Sequence, residues 1–264
     1  MSSQTEANLA AEQLRQNLEV SEVNLAVVLG SGWGGAGDLL GTKVRSVPAR
    51  EIRGFTTSGI PGHSGTLALA DLGKEKKVLL ISARTHVYEG RGTPAVVHAV
   101  RTAAACGATT MILTNGAGGI KETWAAGQPV LISDHINLTA TSPVEGANFV
   151  DLTDLYSKRL REIAQTIDPT LDEGVYVQFR GPHYETPAEV QMAKAMGGDI
   201  VGMSTALEAI AAREAGMEVL GLSLITNLAA GISPHPLSHQ EVIDAGKSAE
   251  PVIGKLLADI VHAL

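Results

Sequence analysis

Residues 24–35, Asn24-Leu25-Ala26-Val27-Val28-Leu29-Gly30-Ser31-Gly32-Trp33-Gly34-Gly35, carry the reading on which the fold turns. The nearly unbroken apolar run suits a strand covered on both faces. A glycine-rich turn follows at once. Gly30, Gly32 and Gly35 fit the G-x-G-x-x-G spacing. A dinucleotide site would need a helix directly after the turn, then a strand ending in an acidic residue. Residues 36–48 supply no clean helix, because Gly41 and Pro48 interrupt them, and Glu51 sits at the right offset but in an irregular stretch. Two readings stay open: a turn whose amides and Ser31 hydroxyl face an oxyanion, or a purely structural turn. No Gly-Lys-Ser/Thr follows, which excludes a P-loop.

Outward from this point, 77–83, 109–114, 129–133, 175–179 and 217–226 also read as strands. Helical patterns lie between them at 5–20, 94–106, 153–167, 187–196, 206–215 and 239–263, the first with Leu9, Leu14 and Leu18 near one face. The alternation predicts an α/β fold. No linker, repeat or low-complexity tract divides the chain, so one domain is expected over residues 1–264. The stretch 41–65, with Pro48, Gly54, Gly59, Pro61 and Gly62, reads as a long irregular loop, and such loops are usually functional or mobile.

Composition narrows the function. Hydrophobic residues make up 44% of the 264-residue chain, enough for a large core, which excludes an acidic disordered chain. Aromatics are only 3% and the net charge is −8, which argues against nucleic-acid binding and against anionic membranes. A bound phosphate would have to be held by local geometry against the global field. Cys106 is the single cysteine, so no internal disulfide or multi-cysteine zinc site forms, and its apolar surroundings predict a buried thiol. There is no signal-peptide pattern and no run of 18 apolar residues. A reduced, soluble, cytoplasmic protein is the expectation.

Helix starts are the clearest local signals. Thr186-Pro187-Ala188-Glu189 is a capping box with proline at the first helical position; Thr205 with Glu208 and Ser238 with Glu241 form two more, and Thr93-Pro94 marks another start. Each start presents unpaired N–H groups and a positive dipole end. Two readings stay open: several converge where such folds bind ligands, or all are ordinary helix starts.

Three motifs carry chemistry. After the strand 77–83, Arg84 and His86 lie two residues apart and so point to one face. An arginine fork beside a histidine suits a phosphate; the alternative is a surface salt bridge and a satisfied histidine. Asn115-Gly116-Ala117-Gly118-Gly119 lets a ligand approach the backbone, or is a bare turn. His235 and His239 are separated by Pro236, and neither H-E-x-x-H nor G-x-S-x-G occurs, so metal and serine-hydrolase chemistry are not expected.

Taken together, several stretches resemble the purine nucleoside phosphorylases, specifically the homotrimeric class that prefers 6-oxopurines. They are Val28-Leu29-Gly30-Ser31-Gly32, Pro61-Gly62-His63, residues 84–90, Thr114-Asn115-Gly116-Ala117-Gly118-Gly119, Asp134-His135-Ile136-Asn137-Leu138, Gly181-Pro182-His183-Tyr184-Glu185-Thr186, Val201-Gly202-Met203-Ser204-Thr205 and Leu224-Ile225-Thr226-Asn227. The resemblance runs from about Gly30 to Ala249, and the joint occurrence of these stretches in order makes it specific. Residues 227–231 and 233–237 look like the bacterial branch. The resemblance implies a single domain with a mixed central β-sheet flanked by helices, and a homotrimer. It implies inorganic phosphate as co-substrate and no other cofactor. Ser31, Arg84, His86, Ser204 and the Gly116 amide would hold phosphate, with Thr85 contributing backbone and His63 approaching on a loop. Tyr88 would face the ribose, His239 its 5′-hydroxyl, and Met203 would pack under the sugar. Tyr184 would lie against the purine, Ala117 would also bind the nucleoside, Glu185 would accept from N1–H, and Asn227 would bond the O6 and N7 edge. His86, Glu185 and Asn227 would be the catalytic groups. Phe149 resembles the aromatic lent to a neighbouring subunit. Thr85 departs from a common aromatic, Glu214 from a common histidine and Gly116 from a frequent alanine.

The chemistry fits these residue types. Breaking a ribosidic C–N bond puts positive charge on the sugar and negative charge on the purine, which a phosphate dianion and donors at N7 and O6 stabilise. The rivals are a methylthioadenosine phosphorylase of the same fold, opposed by Asn227, Glu185 and His239, a Rossmann-type oxidoreductase, and a catalytically silent nucleoside binder. The last needs no phosphate pocket, which the set Ser31, Arg84, His86 and Ser204 supplies.

Overall fold

Strand β1 (Leu25–Val28) is buried along its whole length. In the computed structural model, which describes residues 2–56, 65–73 and 76–264, its alternate side chains enter two cores. Ala26 and Val28 join one, Leu25 and Val27 the other. β4 (Lys77–Ile81) and β5 (Thr110–Gly119) flank β1 in parallel and divide in the same way. Burial on both faces is why these segments read as continuous apolar runs.

The first core takes α1 (Ser3–Leu18), α3 (His98–Ala105) and α6 (Ala206–Glu214). The second takes α4 (Lys158–Ile167) and α7 (His239–Ala263). Short α2 (Thr93–Val96) precedes α3, and α5 (Pro187–Ala195) packs Val190 and Ala193 into a third, smaller cluster.

The remaining strands are β2 (Thr42–Pro48), β3 (Thr66–Asp71), β6 (Pro129–Asn137), β7 (Asp172–Gln178), β8 (Ile200–Gly202) and β9 (Glu218–Leu228). Among the described residues the strands form one mixed sheet in the order β2-β3-β4-β1-β5-β8-β7-β6-β9. β9 also returns to pair in parallel with β5, so β5, β8, β7, β6 and β9 close into a ring. The α/β class and the mixed central sheet flanked by helices hold; the ring was not expected.

Several boundaries differ from the sequence reading. Part of the irregular stretch 41–65 is β2, an edge strand exposed over most of its length and, among the described residues, paired with β3 alone. Its polar, proline-ended sequence suits an edge. The helix expected at 94–106 breaks at Val97, and that expected from 153 starts at Lys158, capped by Ser157. Leu9 is exposed; the buried face of α1 is Ala7, Ala10, Ala11, Leu14 and Leu18. Thr93 does not cap α2: its hydroxyl meets that of Thr141 at 3.1 Å. The other three capping boxes form. Cys106 is buried, and burial pushes its thiol up to about 11.

Candidate active site

The turn after β1 is built to be close. Trp33 N–H closes it on Gly30 O at 3.0 Å, and Gly32 sits at φ +85°, where glycine is favoured. The buried Trp33 indole donates to Asn115 O at 2.9 Å, and Gly30 N–H donates to Thr114 Oγ1 at 3.0 Å. A Cβ on Gly30 would lie 2.3 Å from Thr114 O and 2.7 Å from Arg84 Nη1. The glycine therefore lets both β5 and the arginine approach. A 3-10 turn, Gly34–Leu39, and then antiparallel β2 follow, not a helix and a parallel strand. That removes the dinucleotide reading.

Arg84, past the end of β4, is buried at 3% exposure. Its Nε donates to Glu208 Oε1 at 3.0 Å and its Nη1 to Thr114 O at 2.8 Å. Nη2 is buried with no hydrogen-bond partner among the described residues. The alternative of a surface salt bridge is thus corrected: the pair is internal. His86 stacks on Tyr88 with ring centroids 4.8 Å apart. Its Nδ1 lies 3.3 Å from Glu89 Oε1, which also accepts from the His86 amide at 2.7 Å. Burial, with Glu89 adding to it, pushes the Tyr88 phenol up to about 12.

The turn after β8 brings Ser204 and Thr205. Ser204 N–H donates to the buried Tyr176 hydroxyl at 3.3 Å. A Cβ on Gly202 would fall 2.2 Å from that hydroxyl, so this approach requires glycine. Thr205 holds φ +83°, an uncommon conformation for a β-branched residue. Glu208 Oε2 accepts from its amide at 2.9 Å, and Asn115 Nδ2 donates to its hydroxyl at 2.9 Å.

These elements enclose a cavity of about 170 Å³. Its lining includes Ser31, Arg84, His86, Gly116 and Ser204 of the expected phosphate set, together with Tyr88, Ala117, Tyr184, Glu185, Met203, Asn227 and His239. Glu185 is buried with Oε1 unpartnered among the described residues, and burial raises its carboxyl, with Glu189 adding to the effect. Thr226 and Asn115 line the same cavity, and the sequence reading gave neither a role.

Two expected residues, Thr85 and Phe149, do not line this cavity. The Thr85 hydroxyl faces Thr56 at 3.4 Å, in a small second cavity that Arg84 also lines. Phe149 is 96% exposed, which removes its alternative reading as a buried loop anchor. His63 lies outside the described residues.

The chain matches the Phosphorylase superfamily over residues 24–262. It is 61% identical over 259 residues to the purine nucleoside phosphorylase of a Cellulomonas species, covering 96% of this chain and 92% of that protein. The Bos taurus purine nucleoside phosphorylase is 36% identical, with 89% of each chain covered. Among solved structures, a Schistosoma mansoni purine nucleoside phosphorylase in complex with inosine superposes with a TM-score of 0.88 at 29% identity, covering 98% of this chain and 96% of that one. A structure of that organism's enzyme with adenosine gives 0.89.

Proposed function

The chain belongs to the phosphorylase superfamily, among its purine nucleoside phosphorylases, and from that premise we propose that it splits 6-oxopurine nucleosides with inorganic phosphate, as a homotrimer in the cytoplasm. Inosine, guanosine and their 2′-deoxy forms would yield free base and (deoxy)ribose 1-phosphate, a reaction of purine salvage. The observation that carries this reading is the Arg84 guanidinium. Two of its nitrogens are tied to Glu208 and Thr114, the third, Nη2, is buried without a partner among the described residues, and the Arg84 side chain lines the cavity. A buried donor of this kind calls for an acceptor, and the surrounding hydroxyls and glycine amide suit an oxyanion.

Phosphate held by Arg84, Ser31, His86, Ser204 and the Gly116 amide places a dianion below the sugar, where positive charge develops as the C–N bond lengthens. The bond forms from a phosphate oxygen to C1′, and the bonding electrons leave with the purine. Asn227 donates to the purine edge that gains this charge. Glu185, as a carboxylate, accepts from N1–H, which hypoxanthine and guanine present and adenine lacks. Tyr88, Met203 and His239 fix the sugar between the two ends. This scheme needs no cofactor beyond the phosphate. The strongly exposed Phe149 supports a second subunit's site as its destination.

The test is inosine cleavage followed with and without inorganic phosphate, with the sugar product identified. Hypoxanthine should appear only with phosphate, alongside ribose 1-phosphate. Equal release in its absence, with free ribose, would overturn the proposal.

A further inference from the structure

The phosphate donors come from separate loops, so something must hold them in register. Arg84 follows β4, and Ser204 follows β8. One carboxylate reaches both. Glu208, in the first turn of α6, is buried at 2% exposure. Its Oε1 accepts from Arg84 Nε at 3.0 Å, and its Oε2 accepts from the amide of Thr205, next to Ser204, at 2.9 Å.

Each bond has a distinct consequence. With Nε on Glu208 and Nη1 on Thr114 O, the guanidinium plane is fixed, and Nη2 is the nitrogen left without a partner among the described residues. At the other oxygen, Thr205 is kept at φ +83°, a conformation that persists only when its surroundings hold it. That residue sets where the Ser204 hydroxyl stands, 3.2 Å from the Thr205 hydroxyl.

We infer that Glu208 is the positioning residue of the phosphate subsite, locking the Arg84 guanidinium and the Ser204–Thr205 turn into one anion-binding unit. This rests on the phosphate reading of Arg84 above. Glu208 does not touch substrate. An amide in its place offers one acceptor oxygen and an NH₂ group, so a donor faces either Arg84 Nε–H or the Thr205 amide.

The experiment measures the phosphate KM, the inosine KM and the melting temperature for Glu208→Gln, Glu208→Asp and Arg84→Ala. Glu208→Gln should raise the phosphate KM about tenfold or more, while the inosine KM at saturating phosphate stays within about threefold. A purely structural role would lower the melting temperature without this split. Where Glu208→Gln yields no folded protein, Glu208→Asp serves: it keeps the charge but is too short to hold both donors, and the same split is expected. A phosphate KM within about twofold of wild type, or an equal rise in both constants, overturns the inference. If Arg84→Ala also leaves the phosphate KM unchanged, the phosphate reading itself fails. If Arg84→Ala raises it and the Glu208 variants do not, only the role of Glu208 falls.

Discussion

The Thr226 hydroxyl donates to Asn227 Oδ1 at 2.8 Å, while Asn227 Nδ2 donates to Leu228 O at 2.9 Å. Both ends of the amide are thus fixed, with one Nδ2 hydrogen left for the cavity. A carboxylate at 227 would still accept from Thr226 but would have no proton for the purine edge. It would repel a 6-oxo group and accept from a 6-amino group. Asn227→Asp should therefore shift the inosine-to-adenosine ratio of kcat/KM toward adenosine by about ten- to hundredfold. Glu185 still opposes adenine at N1, so the switch is partial. Both substrates should be assayed at saturating phosphate; a ratio within about twofold of wild type removes Asn227 from position 6.

Glu185 gives the specificity a pH dependence. Burial, with Glu189 adding to it, raises its carboxyl above the usual range. The neutral acid therefore persists to higher pH than an ordinary glutamate. Protonated, it gains an O–H donor and loses its negative charge, which weakens its acceptance from N1–H of inosine and offers a proton to N1 of adenine. The inosine-to-adenosine ratio should fall as pH is lowered through this raised pKa, and Glu185→Gln should flatten the profile. Stability has the matching sign. A carboxyl whose folded pKa is raised contributes most below its unfolded pKa, and that contribution is lost as pH rises through the folded one. Unliganded Glu185→Gln should then melt above wild type at neutral pH, with the gain vanishing in acid. A melting difference independent of pH would show that Glu185 ionises without penalty.

The residues that touch a ligand in this reading were legible, because glycine turns, Arg84, His86, Glu185 and Asn227 are chemically distinctive and follow apolar strands. The residues that hold them were less so. Glu208 reads in sequence as the third position of a capping box, and it is one; its second bond, to Arg84 across 124 positions, has no local signature. A buried arginine needs a carboxylate, and that is the only sequence-level hint. The closed ring shares this property, since the β5–β9 pairing joins Thr110 to Glu218 and is fixed by tertiary packing. β2 escaped because an exposed edge strand lacks the apolar continuity that marks β1 and β4.

Gly246, in α7, offers a long-range test of the first glycine turn. A Cβ there would come within 2.6 Å of Gly32 Cα, which is backbone and cannot rotate away. Gly246→Ala must push either the helix or the turn carrying Ser31. The expected outcome is a raised phosphate KM with a destabilisation of about 1–3 kcal/mol, typical of overpacking. Thermal melting and phosphate titration check both parts. Unchanged phosphate affinity together with a lowered melting temperature would mean that the helix, not the turn, gives way.

Phe149 tests the shared site. The loop that bears it is anchored on its own subunit. Arg101 Nη2 donates to Pro143 O at 2.7 Å and to Glu214 Oε2 at 2.9 Å, and Asn148 Nδ2 donates to Glu214 Oε1 at 3.2 Å. A loop so held, ending in a ring 96% exposed, presents the ring outward at low entropic cost. In a trimer the ring would cover a neighbour's nucleoside. Phe149→Ala should raise the inosine KM about tenfold and leave the phosphate KM unchanged. Glu214→Ala, which frees Asn148, should do the same more weakly. Sedimentation should show wild type as a trimer. Mixed trimers of Phe149→Ala and Arg84→Ala subunits then decide the direction of the contact. An Arg84-competent site on a Phe149→Ala subunit regains its aromatic only if its neighbour supplies it. A component with the wild-type inosine KM, absent from either parent, should appear in the mixture. Its absence in verified mixed trimers, or a monomeric wild type, would place Phe149 outside any shared site.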